Sequence, residues 1–194
     1  MIMTKDGALS IGNEPGGFTA VEVLIVIAIL MALAAVAIPN LSHWASNQRL
    51  KSVARDLVTY FQYARLEAVK RSSDIALQFN PDVGNSPGSY IIFVDNGAGA
   101  GGNPGNRSQD GTEETLKYVV LPTDVNLVST TFAANAAGFG ACGFNARGFP
   151  VDASFTDDEG VVTVSNDQRC YNVTLRKTSG GLKLEGPIPK DECP

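Results

Sequence analysis

The chain changes its hydrophobic rhythm three times. From Val23 to Ser42 there are 20 positions without a charged residue, and VLIVIAILMALAAVAI within them is nearly pure hydrocarbon. Twenty residues at about 1.5 Å each match the roughly 30 Å hydrocarbon thickness of a bilayer. No turn residue interrupts the run before Pro39, so it predicts one membrane-spanning helix rather than a pair of strands. A cleaved secretory signal is the competing reading, with Ala35 to Ala37 as its small-residue site. The length of the apolar core, and a helical pattern that continues past Pro39, argue against it.

In that continuation Leu50, Val53, Leu57, Phe61, Ala64 and Ala68 recur at spacings of three and four, the period of an amphipathic helix with one apolar face. Arg49, Lys51, Arg55, Asp56, Arg65, Glu67, Lys70 and Arg71 fill most of the rest. The pattern predicts a helical spine over residues 18–72, transmembrane over 18–39 and kinked or interrupted at Pro39, which lacks an amide hydrogen and crowds the preceding turn. Arg49, Lys51 and Arg55 read first as a solvated helix face and second as contacts for anionic lipid or an acidic neighbour.

Beyond Ser73 the period shortens to two. Ile75, Leu77 and Phe79 alternate in DIALQFN, and SYIIFVD, LKYVVLP, VNLVST, GVVTVSND, CYNVTLRK and GLKLEG are further β-rich runs, separated by Gly, Pro, Asn and Asp. Residues 73–194 therefore read as a β-rich globular region, a small and mostly antiparallel sheet whose apolar face is covered by the second half of the spine. The fold class is α+β.

Composition adds less. The net charge of −5 supplies no general field for a polyanion. The loop DNGAGAGGNPGNRSQDGTEE carries Asp95, Asn96, Asp110, Glu113 and Glu114 but lacks the ligand spacing of an EF-hand, so it reads as a solvent-exposed loop ahead of a calcium site. His43, the single histidine, stands beside Trp44 just after the apolar run, where aromatic groups suit a membrane interface. No HExxH, CxxC, phosphate-binding glycine loop or nucleophile elbow occurs; neither a catalytic residue, a metal nor a cofactor is expected. Of Cys142, Cys170 and Cys193, the preferred disulfide is Cys170 with Cys193, which pins the tail EGPIPKDECP; Cys142 with Cys170 is the alternative.

The segment GGFTAVEVLIVIAILMALAAVAIPN closely resembles the processing signal of type IV pilins and of the pseudopilins of type II secretion systems. The following RLKSVARDLVTYFQYARLEAVKRSSDIALQF resembles in particular the GspH/FimT group of minor pilins and pseudopilins. The resemblance implies a type IV pilin-like fold and a leader over residues 1–17, cut after Gly17 by a prepilin peptidase. Phe18 becomes an N-methylated terminus, Glu22 acts in assembly, and Pro39 is the helix-breaking proline. It implies a non-enzymatic subunit of a type IV pilus or type II secretion pseudopilus, acting in assembly priming or near the tip. The expected partners are other pilins or pseudopilins, an inner-membrane assembly platform, and membrane lipid before assembly. The C-terminal region is expected outside the cytoplasm, although Arg49, Lys51 and Arg55 against Lys5 would by charge alone place it inside. An alternative role is DNA binding for natural transformation through Arg176, Lys177 and Lys183 in TLRKTSGGLKLEG. Glu185, Asp191 and Glu192 oppose that field, and Leu182 and Lys183 stand where the DNA-binding relatives carry an arginine-rich pattern.

Overall fold

The computed structural model describes residues 17–81, 88–99 and 102–193. Apart from Gly17, the expected leader lies outside the described residues. The chain divides into two compact units, Met1–Ser42 and His43–Pro194.

One helix, α1, spans Ala20–Arg71. It passes position 39 without interruption, so of the two outcomes anticipated there a break is excluded; one missing amide costs a single ladder bond while the turns on either side keep theirs. In the first unit every large aliphatic side chain of α1 from Val21 to Leu41 is exposed. In the second unit the predicted stripe is the reverse: Leu50, Leu57, Phe61, Ala64 and Ala68 have no accessible surface, and Val53 is nearly closed off. The helix ends in a left-handed residue, Ser72 with φ 51°. Its neighbour Ser73 donates its amide back to the carbonyl of Ala68, the closing bond of a Schellman-type turn.

Eight strands follow: β1 Ile75–Asn80, β2 Ser89–Val94, β3 Thr115–Val120, β4 Asn126–Thr130, β5 Ala141–Phe144, β6 Glu159–Ser165, β7 Arg169–Arg176 and β8 Leu182–Pro189. They form two antiparallel sheets rather than the single small sheet expected, one in the order β3-β2-β1-β5 and the other β4-β6-β7-β8. The chain leaves the first sheet after β3, returns to it for β5, and leaves again for the last three strands. Alternating polarity marks which face of a strand is apolar but not which strand it pairs with.

A continuous core joins the stripe of α1 to both sheets: Ile75, Leu77, Phe79, Tyr90 and Ile92 from one, Leu127, Val162, Val164, Val173 and Leu175 from the other. Phenylalanines knit it. The Phe61 ring centroid lies 5.9 Å from that of Phe79 and 6.1 Å from that of Phe132, and Phe79 and Phe132 stack at 5.8 Å. Burying each such ring contributes about 1.5–3 kcal/mol.

The first sheet is also closed on its other face, where Ala76, Ile91 and Phe93 form a second small cluster. Asn135 donates to the side-chain oxygen of Gln78 at 2.9 Å and to the carbonyl of Arg107 at 2.8 Å, and Arg107 donates to the Ala141 carbonyl at 3.2 Å. The loop after β2 and the segment after β4 are thereby drawn over the sheet, which is why β1 and β2 are buried on both faces.

Ion pairs fix the helix ends of this unit. Arg49 meets Asp124 at 2.8 Å in the turn before β4. Glu67, which the helical pattern assigns to the solvated face, is instead 7 % exposed; it accepts from Arg71 at 2.8 Å and Lys70 at 2.9 Å, and Arg71 continues to Glu114 at 2.7 Å beside β3. Arg71 first, then Lys70, holds the Glu67 carboxyl below the ordinary glutamate range. A folded-state value that is depressed adds stability that is complete above the ordinary value of about 4.3 and is lost as pH falls below it.

Two outcomes follow. The stability difference between wild type and Glu67→Gln, read by thermal melts of the full chain in detergent, should be present at pH 7 and shrink as pH falls below about 4; a pH-independent difference would contradict the ion-pair account. A Cβ on Gly160 would lie 2.0 Å from the Phe132 ring, whereas one on Gly181 meets only the side chain of Ser179. Gly160→Ala should therefore destabilise by about 1–3 kcal/mol, and Gly181→Ala should change stability by less than about 0.5 kcal/mol. Equal melting temperatures for the two variants would refute the packing.

Candidate functional site

The start of α1 is built as a helix cap. Thr19 precedes the first helical residue; its hydroxyl accepts the amide of Glu22 at 3.2 Å, and its carbonyl accepts the amide of Val23. Thr-x-x-Glu is the sequence of a capping box, so the carboxylate of Glu22 stands in the first turn, where the exposed amides and the positive end of the helix favour it. Glu22 is exposed, and among the described residues its carboxylate has no hydrogen-bonding or charged partner. Phe18 is 83 % exposed. A side chain at Gly17 would meet no atom within 4 Å. This segment therefore carries an exposed glycine, an exposed aromatic residue after it, and an unpartnered carboxylate four residues farther on, in the capped first turn of the helix.

The acidic loop corrects its exposed reading. Asp95 and Glu113 are buried and act inward. Asp95 accepts the amides of Gly105 and Arg107 at 2.9 and 2.7 Å, and Glu113 accepts those of Gly97 and Asp110 at 2.8 and 3.2 Å. Burial raises the Asp95 carboxyl despite the amides of Arg107 and Gly105, which pull the other way. These carboxylates organise the loop's backbone. Among the described residues no group of three His, Cys, Asp or Glu is placed to hold a metal.

Of the three cysteines, the structure joins Cys170 to Cys193 across 6.2 Å between Cα atoms. Cys142 is a buried free thiol in β5, in register with Leu77 of the first sheet; burial pushes that thiol up, away from reactivity. Cys170 belongs to β7 of the other sheet, so the two were never neighbours. Lys190 reinforces the tail by donating to Ser165 at 2.9 Å.

The cations considered for DNA lie close together, with β7 Thr174 opposite Lys183 of β8. Their charge is largely answered locally. Arg176 pairs with Glu159 at 2.9 Å and Lys183 with Glu185 at 2.5 Å, while Lys177 shares an open cleft with Asp157, Asp158 and Glu159. The patch presents no net positive surface to a phosphate backbone.

A second cleft, near the start of the unit, escaped the sequence reading. Trp44, Asn47, Gln48 and Lys51 on α1 face Arg169 and Tyr171 on β7 across about 280 Å³. The helical residues precede the strand residues by more than a hundred positions, and no local pattern links them.

The tail makes the disulfide testable. Cys193→Ser should lower stability of the full chain by about 2–4 kcal/mol, and reductant should lower the wild-type melting temperature to that of the variant while leaving the variant unchanged. Insensitivity of the wild type to reductant would contradict a stabilising bridge.

Comparison with known proteins follows the same outline. Residues 53–180 match the family model described as Type II transport protein GspH. The pilin-like protein PilA1 of Thermus thermophilus is 37 % identical over 89 residues, 46 % of this chain and 54 % of that protein; the chain thus spans about half the length of the curated relative it matches. Among solved structures, the type IV minor pilin FimU of Pseudomonas aeruginosa aligns with a TM-score of 0.47 at 19 % identity, covering 78 % of this chain and 96 % of that one. The minor pseudopilin EpsH of Vibrio cholerae aligns at 0.46 and 12 %, covering 72 % and 98 %. By the match of residues 53–180, which takes in most of the helical stripe and most of both sheets, this chain belongs to the GspH family.

Proposed function

We propose that the chain is a minor pilin or pseudopilin, a non-enzymatic structural subunit of a type IV pilus or a type II secretion pseudopilus. The observation that carries the reading is α1 itself in a GspH-family chain: one half is an exposed apolar helix with a single carboxylate in its capped first turn, and the other half is the buried spine of a β-rich unit. The first half is long and apolar enough to cross a membrane. Held as a single span in the bacterial inner membrane, with the C-terminal unit outside the cytoplasm, it stores the subunit in lipid until assembly.

In this reading the prepilin peptidase cuts after Gly17, and Phe18 becomes the methylated amino terminus. An unpaired carboxylate in hydrocarbon costs about 2.5–3.5 kcal/mol at the centre of a span and less toward the interface. Pairing Glu22 of an incoming subunit with the Phe18 amine of its neighbour offsets that cost and selects one axial register. Other pilins or pseudopilins and the inner-membrane assembly platform are then the partners. The DNA-binding alternative draws no support from a patch whose cations are matched by carboxylates.

Terminal-peptide mass analysis of protein recovered from native membranes should find methylated Phe18 as the first residue. Gly17→Val should abolish the cut without disturbing the fold, since the position is open. Glu22→Ala should be cut and membrane-inserted like wild type but enter sheared filaments at least about tenfold less, the equivalent of about 1.4 kcal/mol. Equal incorporation of Glu22→Ala would reject the pairing, and a terminus near Ala37 would reject the processing.

A further inference from the structure

The cleft between the first turns of α1 in the second unit and the start of β7 has the chemistry of an anion site. Its lining includes two cations, Lys51 and Arg169, the amide of Gln48 and the indole of Trp44, and it includes no carboxylate. Among the described residues neither Lys51 nor Arg169 forms an ion pair; other cations, such as Arg55 and Arg147, are also unpaired, but only here do two unpaired cations line one cleft among those described. The exposed carboxylates nearest in sequence, Asp56 on α1 and Asp167 before β7, do not line it, nor do Asp191 and Glu192 after β8.

The cleft is also held in place. Asn166, 2 % exposed, accepts the amides of Gln168 and Arg169 at 3.0 and 2.8 Å, fixing the turn that presents Arg169. The same Asn166 donates to Asn47 at 2.9 Å, and Asn47 donates to Gln168 at 2.8 Å, so the turn and the helix are locked to each other. Tyr171 closes the floor and is 6 % exposed. Asn47 is thus used in bracing, and among the described residues the two cations form no ion pair.

We propose that this cleft binds the phosphate of an anionic lipid headgroup. A guanidinium and an ammonium together suit a phosphate, one as a planar fork and the other as a point charge. The volume of about 280 Å³ lies at the small end of ligand clefts, which run from about 300 Å³ upward, and so suits a headgroup rather than a whole lipid. Trp44 is 59 % exposed and stands three residues after the exposed aliphatic Leu41, the placement of an indole at a membrane interface. The choice of a lipid as the source of the phosphate rests on the membrane reading of the first half of α1. In function, the contact would hold the β-rich unit against the bilayer until the subunit is drawn into a filament.

Trp44 is the single tryptophan of the chain, so its fluorescence reports on this cleft alone. Full chain in uncharged maltoside micelles is titrated with dihexanoyl phosphatidylglycerol, dihexanoyl phosphatidylcholine and sodium phosphate. Phosphatidylglycerol should change the Trp44 emission saturably, with half-saturation at least about fivefold lower than for phosphatidylcholine. Lys51→Gln combined with Arg169→Gln should raise that half-saturation at least about fivefold, whereas Lys51→Arg and the distant exposed Arg147→Gln should not. Saturation by sodium phosphate, as tight as the lipid and lost in the same double variant, would support the phosphate site and assign the free ion as its source. Equal response to both lipids, or a double variant that behaves as wild type, overturns the proposal. Carbonate extraction of native membranes reports separately on the span: release of the wild-type chain would sink the membrane reading while leaving the titration interpretable.

Discussion

Seven apolar residues of one helical face, from Leu50 to Ala68 and including Ala54, have to be kept from water, and the architecture of the second unit answers that demand. A lone sheet of four strands could cover part of such a stripe. Two sheets share the task, and the ring of Phe61 meets Phe79 from one and Phe132 from the segment between them. The same helix has an exposed apolar first half, so in the proposed role one element supplies both the spine of the β-rich unit and its means of membrane insertion and assembly.

Around this core the polar groups are used mainly for positioning. Arg49 with Asp124 and the Glu67, Arg71 and Glu114 chain fix two levels of α1 against the β3 edge of the first sheet and the turn leading into β4. At Asp124 burial pushes the carboxyl upward, but the hydrogen bonds from Arg49 and Ser46 outweigh it and hold the group below the ordinary aspartate range. Asp95 and Glu113 gather the long loop onto the back of the first sheet. Among the described residues, the Glu22 carboxylate at the helix start and the two cations of the braced cleft, Lys51 and Arg169, are among the charges that form no ion pair. In the proposed role these groups are contacts for a neighbouring subunit and for lipid.

The helix and its buried stripe were legible in the sequence because a period of three to four survives any detail of packing. Seven of the eight strands were legible for the same reason, with period two. β5 was missed, since Ala141, Cys142 and Gly143 are small residues that carry little strand signal. Ala76 and Gln78 alternate as a solvent face should, yet both are buried, because a loop distant in sequence covers them. Glu67 and the loop carboxylates likewise read as surface charge until their partners, brought by the fold, are seen. The proposed processing residues rest on a local sequence signal, Gly17 to Pro39, whereas no such signal marks the cleft of Lys51 and Arg169, since it joins residues that only the β7 register brings near α1.

The central claim is that the second half of α1 and both sheets make one cooperative core. Amide hydrogen exchange of the full chain in detergent, followed by mass spectrometry of its peptides, tests it most directly. The most protected amides of Leu50–Ala68, of β1 and of β7 should open with one common free energy and move together when Phe61 is truncated to Ala. Exchange of the helix well ahead of the strands, or a loss of protection confined to one sheet in that variant, would contradict it.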